Sequence, residues 1–155
     1  GLLLILALKE GVVKISFSNK SQKELKNWCQ DYLGLEAIEG TNFTSEAKSQ
    51  ILNYLNARRK LLNFPILHIN SPFRKKVLET ERKIPYGQTR SYVEVAQMVN
   101  SPRASRAVGS ANAANPLPLY FPCHRIINSN GKLGEYSGGF IMKQYLLDLE
   151  FYNYF

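Results

Sequence analysis

The chain has 155 residues, 45% of them hydrophobic, with two cysteines, two histidines and a formal net charge of +8. That length and apolar content supply a real core for one generous domain or two small ones, and two cysteines without a secretory pattern exclude a disulfide-stapled scaffold, leaving thiols in a cytosolic protein. The charge is uneven: residues 1–70 carry a net +3 and the shorter span 74–125 a net +6, a field that favours encounter with a polyanion such as nucleic acid.

In chain order, the apolar run "LLLILAL", residues 2–8, is too short to span a bilayer and has no basic segment before it, so it reads as a buried strand rather than a membrane helix or a leader. With "VVKISFS" it flanks Lys9-Glu10-Gly11, a hairpin connection. From Ser21 the residues Leu25, Trp28, Cys29, Tyr32 and Leu33 fall on one face of a helix ending at Gly34, which makes Cys29 a core thiol. A second helix is expected from Thr44 or Ser45 towards Lys60, with Ile51, Leu52, Tyr54 and Leu55 as its apolar residues and Arg58-Arg59-Lys60 in its last turn, where the helix dipole favours positive charge.

The pattern changes around "LLNFPILHINSP", which places a domain boundary near residues 65–71 and divides the chain into 1–68 and 69–155. His68 lies in a short strand or linker, and the chain lacks the ligand spacing of a structural zinc site. Beyond the boundary the chain is mostly helical. Ser71-Pro72 caps "FRKKVLETERKI", and Ser91 with Glu94 forms a capping box before Val93, Val95, Ala96 and Val99. Ser101 and Pro102 open a third helix, "RASRAVGSANAA", ending at Asn115-Pro116. Two short helices joined tightly describe a helix-turn-helix. The small residues Ala104, Ala107, Gly109, Ala111 and Ala113 allow this helix either into a DNA groove, with Arg103 and Arg106 near its N-terminus, or tightly against the domain interior. In the closing helix, "FIMKQYLLDLEFYNYF", Ile141, Tyr145, Leu146, Leu149 and Tyr152 share a face expected to close the core.

Chemistry concentrates in "YFPCHRIINSNGKLGEYSGG", residues 120–139. A nucleophilic cysteine reacts as its thiolate and needs a base or positive charge nearby; Cys123 has His124 and Arg125 beside it. An extended "LYFPCHR" points Cys123 and His124 to opposite sides, so the chain bends or a water carries the proton between them. A histidine in this role needs a carboxylate to fix its tautomer, and Glu150 is the candidate. A dithiol redox enzyme is excluded by the lack of a nearby second cysteine, and a papain-like peptidase by the position of the histidine.

These residues resemble the O6-alkylguanine-DNA alkyltransferases, or methylated-DNA–protein-cysteine methyltransferases. The resemblance is carried by "IPYGQTRSY" at 84–92, "ASRAVGSANAANP" at 104–116, "PCHRI" at 122–126, "GEYSGG" at 134–139 and "LLDLE" at 146–150, five ordered motifs over residues 72–150. It implies an α+β fold, with an N-terminal ribonuclease-H-like α/β domain followed by a mostly helical, winged-helix-like DNA-binding and catalytic domain with a helix-turn-helix. By position, Cys123 is then the alkyl acceptor, His124 its base through a water, and Glu150 the partner of His124. Asn115 holds the turn after the recognition helix. Tyr92 helps rotate the nucleotide out and donates to the base, and Arg106 fills the vacated space. Tyr136 and Ser137 lie near guanine O6, and the backbone carbonyls of Cys123 and Ile126 accept from the guanine amino group. Arg103, Ala107 and Gly109 complete the DNA-facing surface of the helix.

The implied activity is single-turnover repair of O6-alkylguanine in double-stranded DNA by a cytoplasmic monomer without cofactor, metal or membrane contact. A non-enzymatic helix-turn-helix protein that senses alkylated or distorted DNA is the alternative. The chain departs from the family in two places: it lacks the N-terminal zinc residues of some members, and Asn112 stands where many have an apolar residue on the base-binding helix.

Overall fold

The computed structural model describes residues 3–17, 22–40 and 42–154. Leu2, Ser18 and Ser21, at the ends of the expected strands and first helix, lie outside them. Strands β1 (Leu3–Leu8) and β2 (Gly11–Phe17) form the expected antiparallel hairpin. On its free edge β2 meets Ile66 through a parallel bridge in which Val12 N–H donates to Pro65 O and Leu67 N–H to Val12 O, and Ile15 N–H donates to Pro116 O. Gly11 permits this approach, since a Cβ there would lie 2.8 Å from the Ile66 backbone. The described N-terminal sheet is thus a hairpin with one bridge, the reduced form of the larger sheet that the resemblance implies.

Helix α1 (Gln22–Leu33) buries Leu25 and Cys29 and stops at Gly34, whose φ of +65° is left-handed; Tyr32, expected inward, is exposed. Helix α2 (Ser45–Leu55) ends a turn earlier than its sequence pattern predicts. Ala57 turns left-handed after it, so Arg58-Arg59-Lys60 lie beyond the helix and the dipole reading of that run fails. Arg59 instead donates to Leu61 O and Asn63 Oδ1, and Lys60 to Tyr154 O.

Helix α3 (Pro72–Arg82) starts at the predicted cap, where Ser71 Oγ accepts from Arg74 N–H. The two-residue strand β3 (Arg90–Ser91) leads into α4 (Tyr92–Met98), whose capping box forms as expected between Ser91 and Glu94. Helix α5 (Ser105–Ala113) begins three residues later than predicted. Asn100 adopts a left-handed φ and Ser101 N–H reaches back to Ala96 O, closing α4, so Ser101 and Pro102 belong to the turn between helices. Helices α3, α4 and α5 enclose Val77, Ile84, Val95, Ala96, Val99, Val108, Ala111 and Ile126.

A second, larger cluster runs through the molecule, joining Val12, Ile15 and Phe17 of the hairpin and Ile51 and Tyr54 of α2 to Leu78, Leu117, Phe121 and Leu146. Strand β4 (Ile126–Ile127) pairs in parallel with β3, and α6 (Phe140–Tyr152) closes the chain. The face of α6 turned inward is Lys143, Leu146 and Glu150, whereas Ile141, Tyr145 and Tyr152 are exposed. This corrects the apolar face read from the sequence: two of the three buried positions are charged, and hydrophobicity alone cannot find them. The fold is the α+β class expected, and no helix among the described residues is long and apolar enough to cross a membrane.

Candidate active site

The segment that carries the Cys-His pair is bent, not extended. Leu119 has a φ of +74°, and Cys123–Arg125 form a single 3-10 turn closed by Arg125 N–H to Pro122 O, 2.9 Å. Successive side chains of such a turn diverge by about a third of a revolution. Cys123 and His124 therefore still point apart, as expected, but because the chain turns.

His124 and Glu150 are both buried, and His124 Nε2 lies 2.8 Å from Glu150 Oε1. Three further groups converge on the same carboxylate. Arg125 grips it with Nε at 2.9 Å from Oε2 and Nη2 at 2.8 Å from Oε1, Gly87 N–H donates to Oε2 at 3.1 Å, and the Tyr54 hydroxyl donates to Oε1. The Tyr54 oxygen also sits 3.2 Å from His124 Nε2. Burial acts to raise the Glu150 pKa, but His124 and Arg125 outweigh it and hold the carboxylate well below its ordinary range. Burial pushes the His124 pKa down, so the ring is neutral at pH 7. With an anion at Nε2, the ring proton belongs on Nε2. Nδ1, buried and without a hydrogen-bond partner among the described residues, keeps the lone pair that a base uses.

Cys123 faces an open cleft of about 610 Å³. Of the predicted site residues, Cys123, Tyr92, Arg106, Gly109, Tyr136 and Ser137 line it together. Burial, and then Glu81, push the Cys123 thiol up to about 12, against a hydrogen bond from Asn115 Nδ2 to Sγ at 3.2 Å. Asn115 also donates to Phe121 O and accepts from Leu117 N–H, so it holds the loop between α5 and the 3-10 turn as expected. The return loop turns at Gly131 and brings Gly134 against Tyr92, where a Cβ would meet the Tyr92 hydroxyl at 3.1 Å. Burial raises the pKa values of Tyr92 and Tyr136, so both are proton-bearing phenols.

The remaining predicted residues lie elsewhere around this cleft. His124, Glu150 and Asn115 stand behind its wall, and Ile126 is buried with its carbonyl accepting from Lys143 Nζ at 2.6 Å, which leaves one lone pair over. Arg103 and Ala107 are exposed outside it, next to Arg106. Sequence reasoning missed Tyr54, read as an ordinary core aromatic; Arg125, read only as charge beside the thiol; and the buried Lys143 and Glu81. The spacing of Lys143, Leu146 and Glu150 at i, i+3 and i+7 was the available signal for Lys143.

A thiol in an open cleft, a buried imidazole–carboxylate behind it and a helix-turn-helix with exposed arginines define a class: a cysteine-nucleophile protein built on a DNA-binding scaffold. The comparisons narrow it. Residues 72–151 match the family model described as 6-O-methylguanine DNA methyltransferase, DNA binding domain. The inducible methylated-DNA–protein-cysteine methyltransferase of Bacillus subtilis is 39% identical over 142 residues, 91% of this chain and 79% of that protein. That of Methanosarcina acetivorans is 35% identical over 153 residues, 97% of this chain and 92% of that protein. The crystal structure of Mycobacterium tuberculosis OGT in complex with DNA superposes with a TM-score of 0.78 at 29% identity, covering 97% of this chain and 87% of that one. The chain belongs to the methylated-DNA–protein-cysteine methyltransferase family, the DNA-repair proteins that act on O6-methylguanine.

Proposed function

We propose that Cys123 takes the alkyl group from O6 of a guanine rotated out of double-stranded DNA, once per molecule. The observation that carries this reading is the orientation of His124: Nε2 is committed to Glu150, and Nδ1 is left as the base. Because the resting thiol is protonated, its proton passes through a water to Nδ1 as sulfur attacks. The S–C bond forms as the C–O6 bond breaks, and the electron pair goes to O6, where the Tyr92 and Ser137 hydroxyls stabilise the departing purine. Glu150 is the anion that stabilises the imidazolium, and Arg125 holds that carboxylate in place. A thioether is a poor leaving group and nothing among the described residues is placed to remove it, so the alkylated protein is the end product.

Base access requires unstacking, which Arg106 on the outer face of α5 offsets by occupying the vacated space, with Arg103 and the small residues Ala107 and Gly109 against the backbone. The carbonyls of Cys123 and Ile126 take the guanine amino group. No cofactor enters this scheme, and the protein acts as a cytoplasmic monomer. Its two units, 1–68 and 69–155, divide the work: the second carries DNA and nucleophile, the first braces the imidazole through Tyr54.

Incubation with a duplex holding one O6-methylguanine is expected to add a single methyl to Cys123 by intact mass, and Cys123→Ala to add none. Tight lesion binding with no mass change in the unaltered protein would establish a sensor instead.

A further inference from the structure

Behind the cleft wall lies a pair of polar side chains that this scheme does not use. Glu81, on the inward face of α3, is 0% exposed, and among the described residues neither of its carboxyl oxygens finds a well-formed hydrogen bond. Asn112 of α5 lines the cleft beside Cys123 and Tyr92, and both its amide atoms are buried and equally unpartnered among the described residues. The carboxyl and the amide face each other where α3 packs on α5.

Unsatisfied polar atoms are costly in such a place, and proton count decides whether these two groups can satisfy each other. A carboxylate has only acceptors. An un-ionised carboxylic acid has one donor and one acceptor, the complement of a primary amide. Acid and amide then make two hydrogen bonds, and an ionised Glu81 would forfeit one of them. The surroundings favour the acid form: burial raises the Glu81 pKa to about 8, with the Asn112 amide and Lys143 of α6 opposing. The other titratable groups coupled to it are Cys123 on the 3-10 turn and Tyr92 at the start of α4, whose pKa values a Glu81 anion would push up.

We propose that Glu81 and Asn112 form a carboxylic acid–carboxamide pair that holds Asn112 rigidly in the wall of the base pocket, so that the pocket favours a small O6-alkyl group over a bulky one, with Glu81 a positioning residue acting through Asn112. The proposal rests on the alkyltransferase reading and specifies its substrate preference.

The test compares rates of transfer from O6-methylguanine and O6-benzylguanine in otherwise identical oligonucleotides. Glu81→Leu and Asn112→Leu are both expected to shift the ratio towards benzyl by about three- to tenfold, the effect of one buried hydrogen bond. Glu81→Gln, which can pair with the amide at any pH, is expected to keep the ratio of the unaltered protein at pH 7. In the unaltered protein the ratio moves towards benzyl as pH rises through about 8, and in Glu81→Gln it does not. Infrared difference spectra give a second readout, a protonated-carboxyl band at pH 7 that Glu81→Gln lacks. Unchanged ratios in both leucine variants, a pH response that persists in Glu81→Gln, or no such band in the unaltered protein would each overturn the pair. If the unaltered protein accepts no methyl, the functional reading falls, and the infrared band still decides whether the pair exists.

Discussion

Two glutamates stand within this site, both removed from water, and their surroundings drive them in opposite directions. Glu150 is 1% exposed and Glu81 0%. Glu150 accepts from Tyr54, Gly87, His124 and Arg125 and stays anionic, while Glu81 meets no well-formed donor among the described residues and rises to about 8. Burial is the same force in both cases; the donors decide the sign. The region behind His124 is therefore a satisfied charge network that fixes one tautomer. The region behind Asn112 is a neutral pair whose protonation can change within the working pH range.

The largest effect should come from breaking the satisfied side. Glu150→Gln leaves the buried Arg125 guanidinium without its counter-charge, and removing one partner of a buried ion pair costs about 3–5 kcal/mol. Chemical denaturation should show that loss. Methyl transfer should fall at least a hundredfold, because the imidazolium then lacks its anion.

Next in size is a stability difference across pH. Glu81 has its folded pKa raised from 4.5 to about 8, so between those values the unfolded chain releases a proton that the folded chain keeps, and stability falls as pH rises. The span corresponds to a loss on the order of 5 kcal/mol, complete above pH 8. Glu150 has the opposite sign: its contribution is present above its unfolded pKa near 4.5 and disappears as pH falls below it. His124, with its pKa lowered from 6.5, adds stability as pH rises through that value. Subtracting the stability curve of Glu81→Gln from that of the unaltered protein cancels Glu150 and His124 and isolates Glu81. A flat difference between pH 5 and 8 would mean that Glu81 titrates normally.

How much of this was legible in the sequence follows the same division. Local signals were read correctly where they are local: Ser71-Pro72, the Ser91–Glu94 box and Gly34 mark their helix ends because capping depends on neighbours within four residues. Cys123, His124, Glu150 and Asn115 were found through motifs, and the structure brings them together. Tyr54 was missed because its hydroxyl meets Glu150 across 96 positions and its ring alone accounts for its place on an apolar helix face. Lys143 and Glu81 were missed for a different reason, since hydropathy patterns assign charged residues to solvent, whereas Lys143 is buried against the Ile126 carbonyl and Glu81 is buried with its pKa raised to about 8. The late start of α5 turned on Asn100 adopting a left-handed conformation that the Ser101-Pro102 pattern does not record.

Tyr54→Phe is the smallest of these perturbations and asks most directly whether the N-terminal half takes part in the chemistry. It removes one hydroxyl and leaves the ring packed in the main apolar cluster, so stability should fall by only about 1 kcal/mol, the net worth of a buried hydrogen bond. The hydroxyl also helps keep Glu150 Oε1 aligned with His124 Nε2. Its loss should slow methyl transfer by about three- to tenfold on duplex and free base alike, because the fault lies behind the nucleophile and not at the DNA surface. Arg106→Ala supplies the contrast: with its exposed side chain outside the core it should leave stability unchanged and slow repair in duplex only. A Tyr54→Phe protein that lost stability but transferred methyl at the original rate would reduce the tyrosine to packing, and the N-terminal half to a support.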